Sequence, residues 1–183
     1  MLSSRAGMLG IGFEVAGIAQ VSRVLAVSAA RVKDLSGAFE QIAEDFHKGE
    51  RRVFAVQGAV GEAPSESGVG TWEKWADLNP DYAAWKRKKG FGTKILVKTG
   101  RLRASLALAD FDGSIQVINK LSLELGTSVP YAQYHQTGTK NKDGSLRMPK
   151  REPIRITKKR ARFWVSLINA FILATDQRER LNL

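Results

Sequence analysis

A pattern of apolar residues at steps of three and four constrains the fold of this chain more than any other feature of its sequence. The pattern runs from position 18 to position 46, and eight of its nine members are apolar. Its members are Ile18, Val21, Leu25, Ser28, Val32, Leu35, Phe39, Ile42 and Phe46. Because an α-helix turns once in about 3.6 residues, these side chains share one face, and the pattern predicts a long amphipathic helical segment.

A break is expected inside this helical segment. Glycine in a helix interior costs about 1 kcal/mol relative to alanine, and Gly37 stands near Asp34 and Ser36. The sequence therefore predicts two helices, with Asp34 as a candidate cap of the second. The apolar face packs either on the protein's own sheet or on a neighbouring subunit. For the second interpretation the candidate interface residues are Ile18, Val21, Leu25, Val32, Leu35 and Phe39.

Alternation of polar and apolar residues predicts strands in the second half of the chain. The alternating runs are residues 105–109, 114–118 and 121–125. The short turns between them favour antiparallel hairpins. Residues 9–16 form a further candidate strand.

Helices are expected on both sides of these strands. Pro80 suits the first turn of a helix over residues 80–89, and Pro130 precedes a short helix. Thr157 can cap a last helix over residues 157–174. The predicted fold class is α+β, with an antiparallel β-sheet meander packed by a long N-terminal helical segment and a C-terminal helix.

The length of 183 residues predicts a single domain over residues 1–183. Its first part, residues 1–58, holds the candidate strand and the N-terminal helices. Residues 59–71 are rich in glycine and predict a flexible loop. Residues 72–175 form the core, and the polar residues 176–183 are expected to fray.

Composition argues against several kinds of chemistry. The chain has no Cys, and its two histidines, His47 and His135, lie far apart in sequence. Disulfides and thiolate metal sites are therefore excluded. Neither a Walker-type glycine loop nor a Gly-x-Ser-x-Gly elbow occurs. His135 is interpreted as a packing or hydrogen-bonding residue at a helix end, so we expect no enzymatic activity, no cofactor and no metal.

Membrane insertion and secretion are not expected either. No run of 18 apolar residues occurs, and a spanning helix needs about 20. The apolar stretch that begins at Met8 stops at Glu14, which is too short for a secretory signal. We therefore expect the protein to be made and used in a cytoplasm.

Charge is unevenly distributed along the chain. Residues 1–70 carry seven Lys/Arg and eight Asp/Glu, whereas residues 71–183 carry 22 and ten, and the net charge is +11. A basic half favours an anionic neighbour, either nucleic acid, an acidic protein surface or a membrane face, although a well-solvated surface gives the same composition. The candidate contacts are Lys86, Arg87, Lys88, Lys89, Lys140, Lys142, Arg147 and Lys150.

Three tryptophans accompany the first basic cluster. Trp72, Trp75 and Trp85 recur at helical spacing beside Lys74 and the cations at 86–89. They are either packing anchors or platforms on which single-stranded bases stack. Polar residues between them favour packing.

Four blocks of residues keep a defined order over roughly residues 70–175. They are Trp72-x-x-Trp75-x-x-Leu78-x-Pro80-x-Tyr82, then Lys94-Ile95-Leu96-Val97-x-Thr99-Gly100-x-Leu102-x-x-Ser105, then Gly126-Thr127-x-x-x-Tyr131-Ala132-x-x-His135-Gln136-x-Gly138, and finally Met148-Pro149-x-Arg151-x-Pro153. In this order the blocks resemble the phage virion morphogenesis proteins, which include the Mu-like tail proteins and tail-completion subunits. The motif residues that we expect to be structural are Trp72, Trp75, Gly100, Tyr131, His135 and Gly138.

The resemblance implies a non-enzymatic virion subunit for tail completion or head–tail joining. It implies that residues 72–175 are the tail-completion core and that the subunit forms a ring, expected to be a hexamer, at the head-proximal end of the tail. Expected partners are further copies of the chain, tail terminator, tail tube or connector proteins, and packaged DNA through non-specific contact. The particle would be assembled in the cytoplasm of the bacterial host.

Two other interpretations remain open from the sequence. One is a different virion ring, such as a tail terminator or a connector adaptor. The other is a free basic nucleic-acid-binding protein, whose affinity for DNA would fall steeply with salt.

Overall fold

The computed structural model describes residues 18–61 and 73–174, with side chains described from residue 22 onward. Within these residues the chain forms six helices and two antiparallel sheets of two strands each, which confirms the predicted α+β class. The helices are α1 (Ile18–Val32), α2 (Ser36–Ala55), α3 (Pro80–Lys88), α4 (Arg101–Ala107), α5 (Ala132–Thr137) and α6 (Lys158–Leu173). The strands are β1 (Ser114–Ile118), β2 (Leu123–Thr127), β3 (Thr139–Lys140) and β4 (Leu146–Met148).

The break between α1 and α2 lies where the sequence predicts one, just before Gly37. The Asp34 carboxylate accepts hydrogen bonds from the backbone N–H of Ser36 (3.1 Å) and from its hydroxyl (2.6 Å). Leu35 occupies the N-cap position itself, and its backbone N–H donates to the carbonyl of Lys120 at 2.7 Å. Asp34 therefore orders the first turn of α2, and the junction is fixed to the turn between β1 and β2.

Helix α2 carries the core of the described structure. Its buried apolar side chains recur at helical spacing and are Ala38, Phe39, Ile42, Ala43, Phe46, Val53 and Phe54. They pack towards α4 and the β1–β2 hairpin, and the same cluster includes Trp75 and Ile95 from the segments beside α3. Each large apolar side chain that leaves water contributes about 1.5–3 kcal/mol. From position 38 onward, the N-terminal pattern therefore serves the protein's own core.

The predicted strand at residues 105–109 is wrong, because α4 occupies most of that run. Leu102, Ser105 and Leu106 are buried, and their spacing of three and four places them on one helical face towards α2. The Ser105 hydroxyl donates to the carbonyl of Leu102 at 3.0 Å and also bonds the Thr127 hydroxyl at 2.7 Å. The three-stranded meander is therefore a two-stranded hairpin covered by α4.

Strand β1 coincides with the predicted strand at 114–118, whereas β2 begins and ends two residues later than the predicted run at 121–125. Ser114 pairs with Thr127 and Ile118 pairs with Leu123 in an antiparallel register. A second, smaller hairpin, which the sequence did not predict, is formed by β3 and β4 after α5. This second hairpin presents a group of exposed cations, which are described below.

The helix starts at Pro80 and Thr157 are confirmed. Asn79 accepts hydrogen bonds from the backbone N–H groups of Asp81 (2.9 Å) and Tyr82 (3.2 Å) ahead of α3. The Thr157 hydroxyl accepts from the backbone N–H of Arg160 at 3.1 Å. Helix α6 packs on both α1 and α2, so the C-terminal helix covers the N-terminal pair.

Some predictions lie outside the described residues. These are the candidate strand at 9–16, most of the loop at 59–71, and the tail at 176–183. Among the helices that the structure describes, none combines the length and apolarity needed to cross a bilayer.

Candidate interaction surfaces

A cleft of 810 Å³ has four walls, which are α3, α5, β4 and the residues just before α4. Its apolar lining includes Leu96, Val97, Leu102, Tyr131, Met148 and Pro149. Its cationic lining comes from the exposed Lys98, Arg101 and Arg147 together with the buried Lys86 and Arg151. We call this feature the basic cleft. Its volume falls within the roughly 300–1,000 Å³ that is typical of ligand-binding pockets.

Two buried cations hold the walls of the basic cleft in place. The Lys86 ammonium donates to the carbonyls of Lys94 and Val97, both at 2.8 Å. The Arg151 guanidinium donates to the carbonyls of Ala76 and Asp77, both at 2.7 Å. Burial lowers the pKa of both side chains, because it disfavours their charged forms. Each cation thus ties a loop to the element behind it.

Lys86 requires a correction, because it was predicted as a contact with DNA or a partner ring. Its side chain is 1% exposed and cannot reach either. Consecutive helical residues point about 100° apart, so the four cations at 86–89 cannot share one face. Lys86 lies four residues after Tyr82, and both line the cleft. Arg87, Lys88 and Lys89 are exposed.

The other predicted basic contacts lie on the β3–β4 hairpin and just beyond it. Lys140, Lys142, Arg147 and Lys150 are all exposed. Arg147 faces the basic cleft, whereas Lys150 forms an ion pair with Glu152. These four cations are therefore placed where another molecule can reach them.

An aromatic cluster lies beside the cleft on α3. The rings of Tyr82 and Trp85 stack with centroids 5.6 Å apart, and Phe91 lies 5.8 Å from Trp85. The Lys98 ammonium sits over both Trp85 (5.1 Å) and Phe91 (5.3 Å). Trp85 is 38% exposed, so part of its indole ring faces solvent.

The structural-motif residues occupy turns and the core. Trp75 is buried in the core, while Trp72 lies outside the described residues. Gly100 has φ of +85° immediately before α4. Gly138 has φ of +75°, and a Cβ there would lie 3.0 Å from the backbone nitrogen of Lys150. A side chain at either glycine would strain the backbone.

His135 and Tyr131 lie on α5 and at its start, and both line the basic cleft. Their rings meet edge to face with centroids 6.2 Å apart. Burial and the nearby Arg151 lower the pKa of His135, so its imidazole is neutral at pH 7. Its Nδ1 is buried and has no hydrogen-bond partner among the described residues.

The proposed subunit-interface helix divides into two parts. Leu25 is 64% exposed, and Val24 and Val32 on the same helix are also exposed. Phe39 is 8% exposed and belongs to the chain's own core, which corrects its prediction as an interface residue. Leu35 is half-buried at the junction, and the side chains of Ile18 and Val21 lie outside the described ones. The exposed apolar face is therefore confined to α1.

Helix α6 extends this apolar exposure. It packs against α1, and its Phe163, Val165 and Leu173 are exposed. These exposed apolar side chains make the helix pair a candidate interaction surface. We call the exposed apolar residues of α1 and α6 the α1–α6 face.

The basic stretch from 150 to 162 is less available to phosphates than its sequence suggests. Arg155 is buried and donates to the carbonyls of Gly58 and Glu73. Arg160 binds the Asp45 carboxylate at 2.8 Å and the carbonyl of Phe46 at 2.8 Å. Arg155 thus binds the segment that follows α2, and Arg160 binds the middle of α2.

Glu50 shares the Arg160 cluster. It is fully buried on α2, and its Oε1 accepts from Arg160 at 3.4 Å. Burial raises the pKa of Glu50 to about 8, because desolvation outweighs the attraction of the nearby guanidinium. The carboxyl group is therefore largely protonated at pH 7.

Because of Glu50, the free energy of unfolding should fall as the pH rises from 4.5 to about 8. The folded protein holds the Glu50 proton up to about pH 8, while the unfolded chain releases it near the ordinary value of 4.5. The stabilisation that protonated Glu50 provides is fully present below pH 4.5, and it is lost as the pH rises to about 8. We expect the free energy of unfolding, relative to Glu50→Gln, to decline by up to about 1.4 kcal/mol per pH unit between these values. Urea titrations of both proteins across pH 5–8 would contradict the assignment if their difference stayed constant.

No group of three or more His, Cys, Asp or Glu side chains among the described residues is arranged to hold a metal ion. The chain belongs to the phage virion morphogenesis family, whose family model matches residues 17–171. This is a family of structural and assembly proteins of the phage particle, and the resemblance carried by the four sequence blocks is confirmed at that level.

No curated protein and no solved structure matches the chain.

Proposed function

We propose that this protein is a tail-completion or head–tail joining subunit that forms a ring at the head-proximal end of a phage tail. The observation that carries the proposal is the exposed apolar surface of α1, with Leu25 64% exposed in a member of a virion morphogenesis family. A soluble subunit with such a surface is best explained by a partner that covers it. In a ring, that partner is the next copy of the same chain.

A ring requires two different contact surfaces on each subunit. Cyclic assemblies larger than a dimer use heterologous contacts, in which one patch meets a different patch on the neighbour. The α1–α6 face supplies one patch. The opposing patch, the expected hexameric state and the neighbouring tail terminator, tail tube or connector proteins are part of the proposal.

The exposed cations are assigned to the lumen or to an acidic partner ring. They are Arg87, Lys88, Lys89, Lys140, Lys142 and Lys150. Contacts of this kind with DNA would go to the phosphate backbone and carry no sequence preference. Such residues are compatible with a ring through which DNA passes, because contacts to phosphates do not depend on the base sequence.

Electron microscopy of lysates from a producer that lacks the gene tests this function. We expect full heads beside unjoined tails or tails of aberrant length, and the appearance of the tail ends distinguishes completion from termination. Complementation with the wild-type gene should restore joined particles. Intact, infectious particles from the deletion strain would refute the proposal.

Two matched variants test the ring contact. Leu25→Asp places a charge on the exposed apolar face of α1, whereas Ala30→Asp places the same charge at an exposed position about 140° away around the helix. We expect Leu25→Asp to reduce the assembled mass of the purified protein and to fail in complementation, because a buried unpaired charge is strongly unfavourable in an interface. Ala30→Asp should behave as wild type. An unchanged mass for Leu25→Asp would remove α1 from the interface.

A further inference from the structure

The basic cleft has a strong imbalance of charge that the proposed ring contacts do not use. Five cations line it, namely Lys86, Lys98, Arg101, Arg147 and Arg151. The lining carboxylate is that of Asp77, which already binds the Lys74 ammonium at 2.9 Å. Arg101 pairs with the exposed Asp112 at 3.1 Å. Within the described residues, Lys98 and Arg147 form no ion pair.

The two buried cations deepen this imbalance. Lys86 and Arg151 are satisfied by backbone carbonyls, which carry partial charges only. Both groups lie under an apolar surface, and Asp77 is the one carboxylate of the described lining that opposes them. Such a low-dielectric, positively charged hollow attracts an anionic group.

The lining also limits what kind of anion fits. Leu96, Val97, Tyr131, Met148 and Pro149 give the cleft a largely apolar interior, so its occupant must bring an apolar group as well as negative charge. A nucleic acid backbone offers phosphates but would need cations in an exposed row. Here two of the five cations are buried and tied to carbonyls, which favours a peptide with an apolar side chain between carboxylates.

The walls of the cleft are held in place by hydrogen bonds within the chain. Lys86 fixes the segment at 94–97, and Arg151 fixes the segment at 76–77. Asn79 caps α3, so the third wall is ordered as well. A preformed site loses little conformational entropy on binding, which suits capture of a flexible peptide segment.

We propose that the basic cleft docks an acidic peptide segment of another protein. One apolar side chain of that segment enters between α3 and β4, and carboxylates beside it bind Lys98 and Arg147. The buried His135 Nδ1, which has no partner among the described residues, borders the same space. The proposal uses the cleft and not the α1–α6 face, so it does not depend on ring formation.

Peptide selection on the full-length protein tests the proposal. The probe is a library of random peptides of about a dozen residues, selected against the immobilised wild-type chain. We expect enriched peptides to carry at least two carboxylates beside a large apolar residue. Their affinity should weaken about tenfold in Lys98→Glu and in Arg147→Glu, since each reversal turns an attraction into a repulsion. Arg103→Glu changes an exposed cation on α4 that does not line the cleft, and it should bind as wild type.

Each of the other outcomes overturns the proposal. A selection without enrichment, or enriched peptides that bind all three variants equally, shows that the cleft is not an acidic-peptide site. An oligothymidylate that binds with the same dependence on Lys98 and Arg147 makes the cleft a nucleic-acid site instead. Circular dichroism melting confirms that the three exposed-site variants are folded. Failure here leaves the Leu25→Asp result and the deletion phenotype unaffected, so the two proposals are tested separately.

Discussion

Trp75→Ala should lower the free energy of unfolding by about 3–5 kcal/mol, the usual cost of deleting a buried aromatic side chain. Trp75 is 2% exposed and meets Phe54 edge to face at 5.3 Å. Its indole N–H donates to the carbonyl of Glu152 at 2.9 Å. The substitution therefore leaves both a large cavity and a carbonyl without its donor.

The Trp75 ring also packs closely against the backbone that follows α2. A Cβ at Gly58 would lie 2.6 Å from its ring, so the backbone at the end of α2 already touches the indole. The backbone N–H of Trp75 donates to the carbonyl of Gln57 at 2.8 Å. One side chain thus joins the end of α2 to the segment that carries Arg151, and its loss should loosen the wall of the basic cleft.

Trp85→Ala is the matched control, since it deletes the same side chain from the surface cluster. Trp85 is more than a third exposed and rests on Tyr82 and Phe91. We expect a cost of about 1 kcal/mol or less. Urea unfolding followed by circular dichroism measures both variants without relying on tryptophan fluorescence. Similar costs for the two variants would mean that Trp75 is not the anchor that its burial indicates.

The helices of this protein are largely predictable because their signals are local. Asp34, Asn79 and Thr157 each mark a helix start through a side chain that accepts from nearby backbone N–H groups. The strands β1 and β2 were equally accessible, since alternation and a short turn define a hairpin. Helix α4 was missed because seven residues are too few to separate a helical period from alternation. Leu102, Ser105 and Leu106 fit the first, while the run from Ser105 fits the second.

The candidate site could not be predicted, because it depends on contacts between distant segments. The basic cleft is lined by residues near positions 78, 98, 131 and 148. No local sequence pattern predicts that these segments lie close together. Lys86 was predicted as an accessible cation and Arg151 as part of a sequence block, yet both are buried and bind backbone carbonyls of other segments. One signal was available for Lys86. It lies on the same helical face as Tyr82, four residues earlier, whereas Arg87, Lys88 and Lys89 point elsewhere.

Arg160 is the contact on which α6 depends most. Its guanidinium reaches across Gly49 to the Asp45 carboxylate and to the carbonyls of Asp45 and Phe46. A Cβ at Gly49 would overlap the guanidinium, so a larger residue at this point of α2 must displace the Arg160 side chain from its partners. Glycine in a helix costs about 1 kcal/mol relative to alanine. Here the contacts of Arg160 with the helix backbone offset that cost.

Arg160→Ala should lower the free energy of unfolding by about 3 kcal/mol, at the lower end of the cost of breaking a buried ion pair. Lys159→Ala, which removes an exposed cation one residue earlier, should change it by less than about 0.5 kcal/mol. Urea unfolding of the two variants at one pH makes the comparison.

A double-mutant cycle then tests whether Arg160 is the reason that position 49 is a glycine. In the wild-type background Gly49→Ala should destabilise, because the new methyl group expels the guanidinium from its partners. In the Arg160→Ala background the same substitution should stabilise by up to about 1 kcal/mol, since only the helix preference of alanine remains. Equal effects in the two backgrounds would show that Arg160 does not impose glycine at position 49. The sign reversal, in contrast, would establish that the guanidinium of Arg160 is the reason for glycine at position 49.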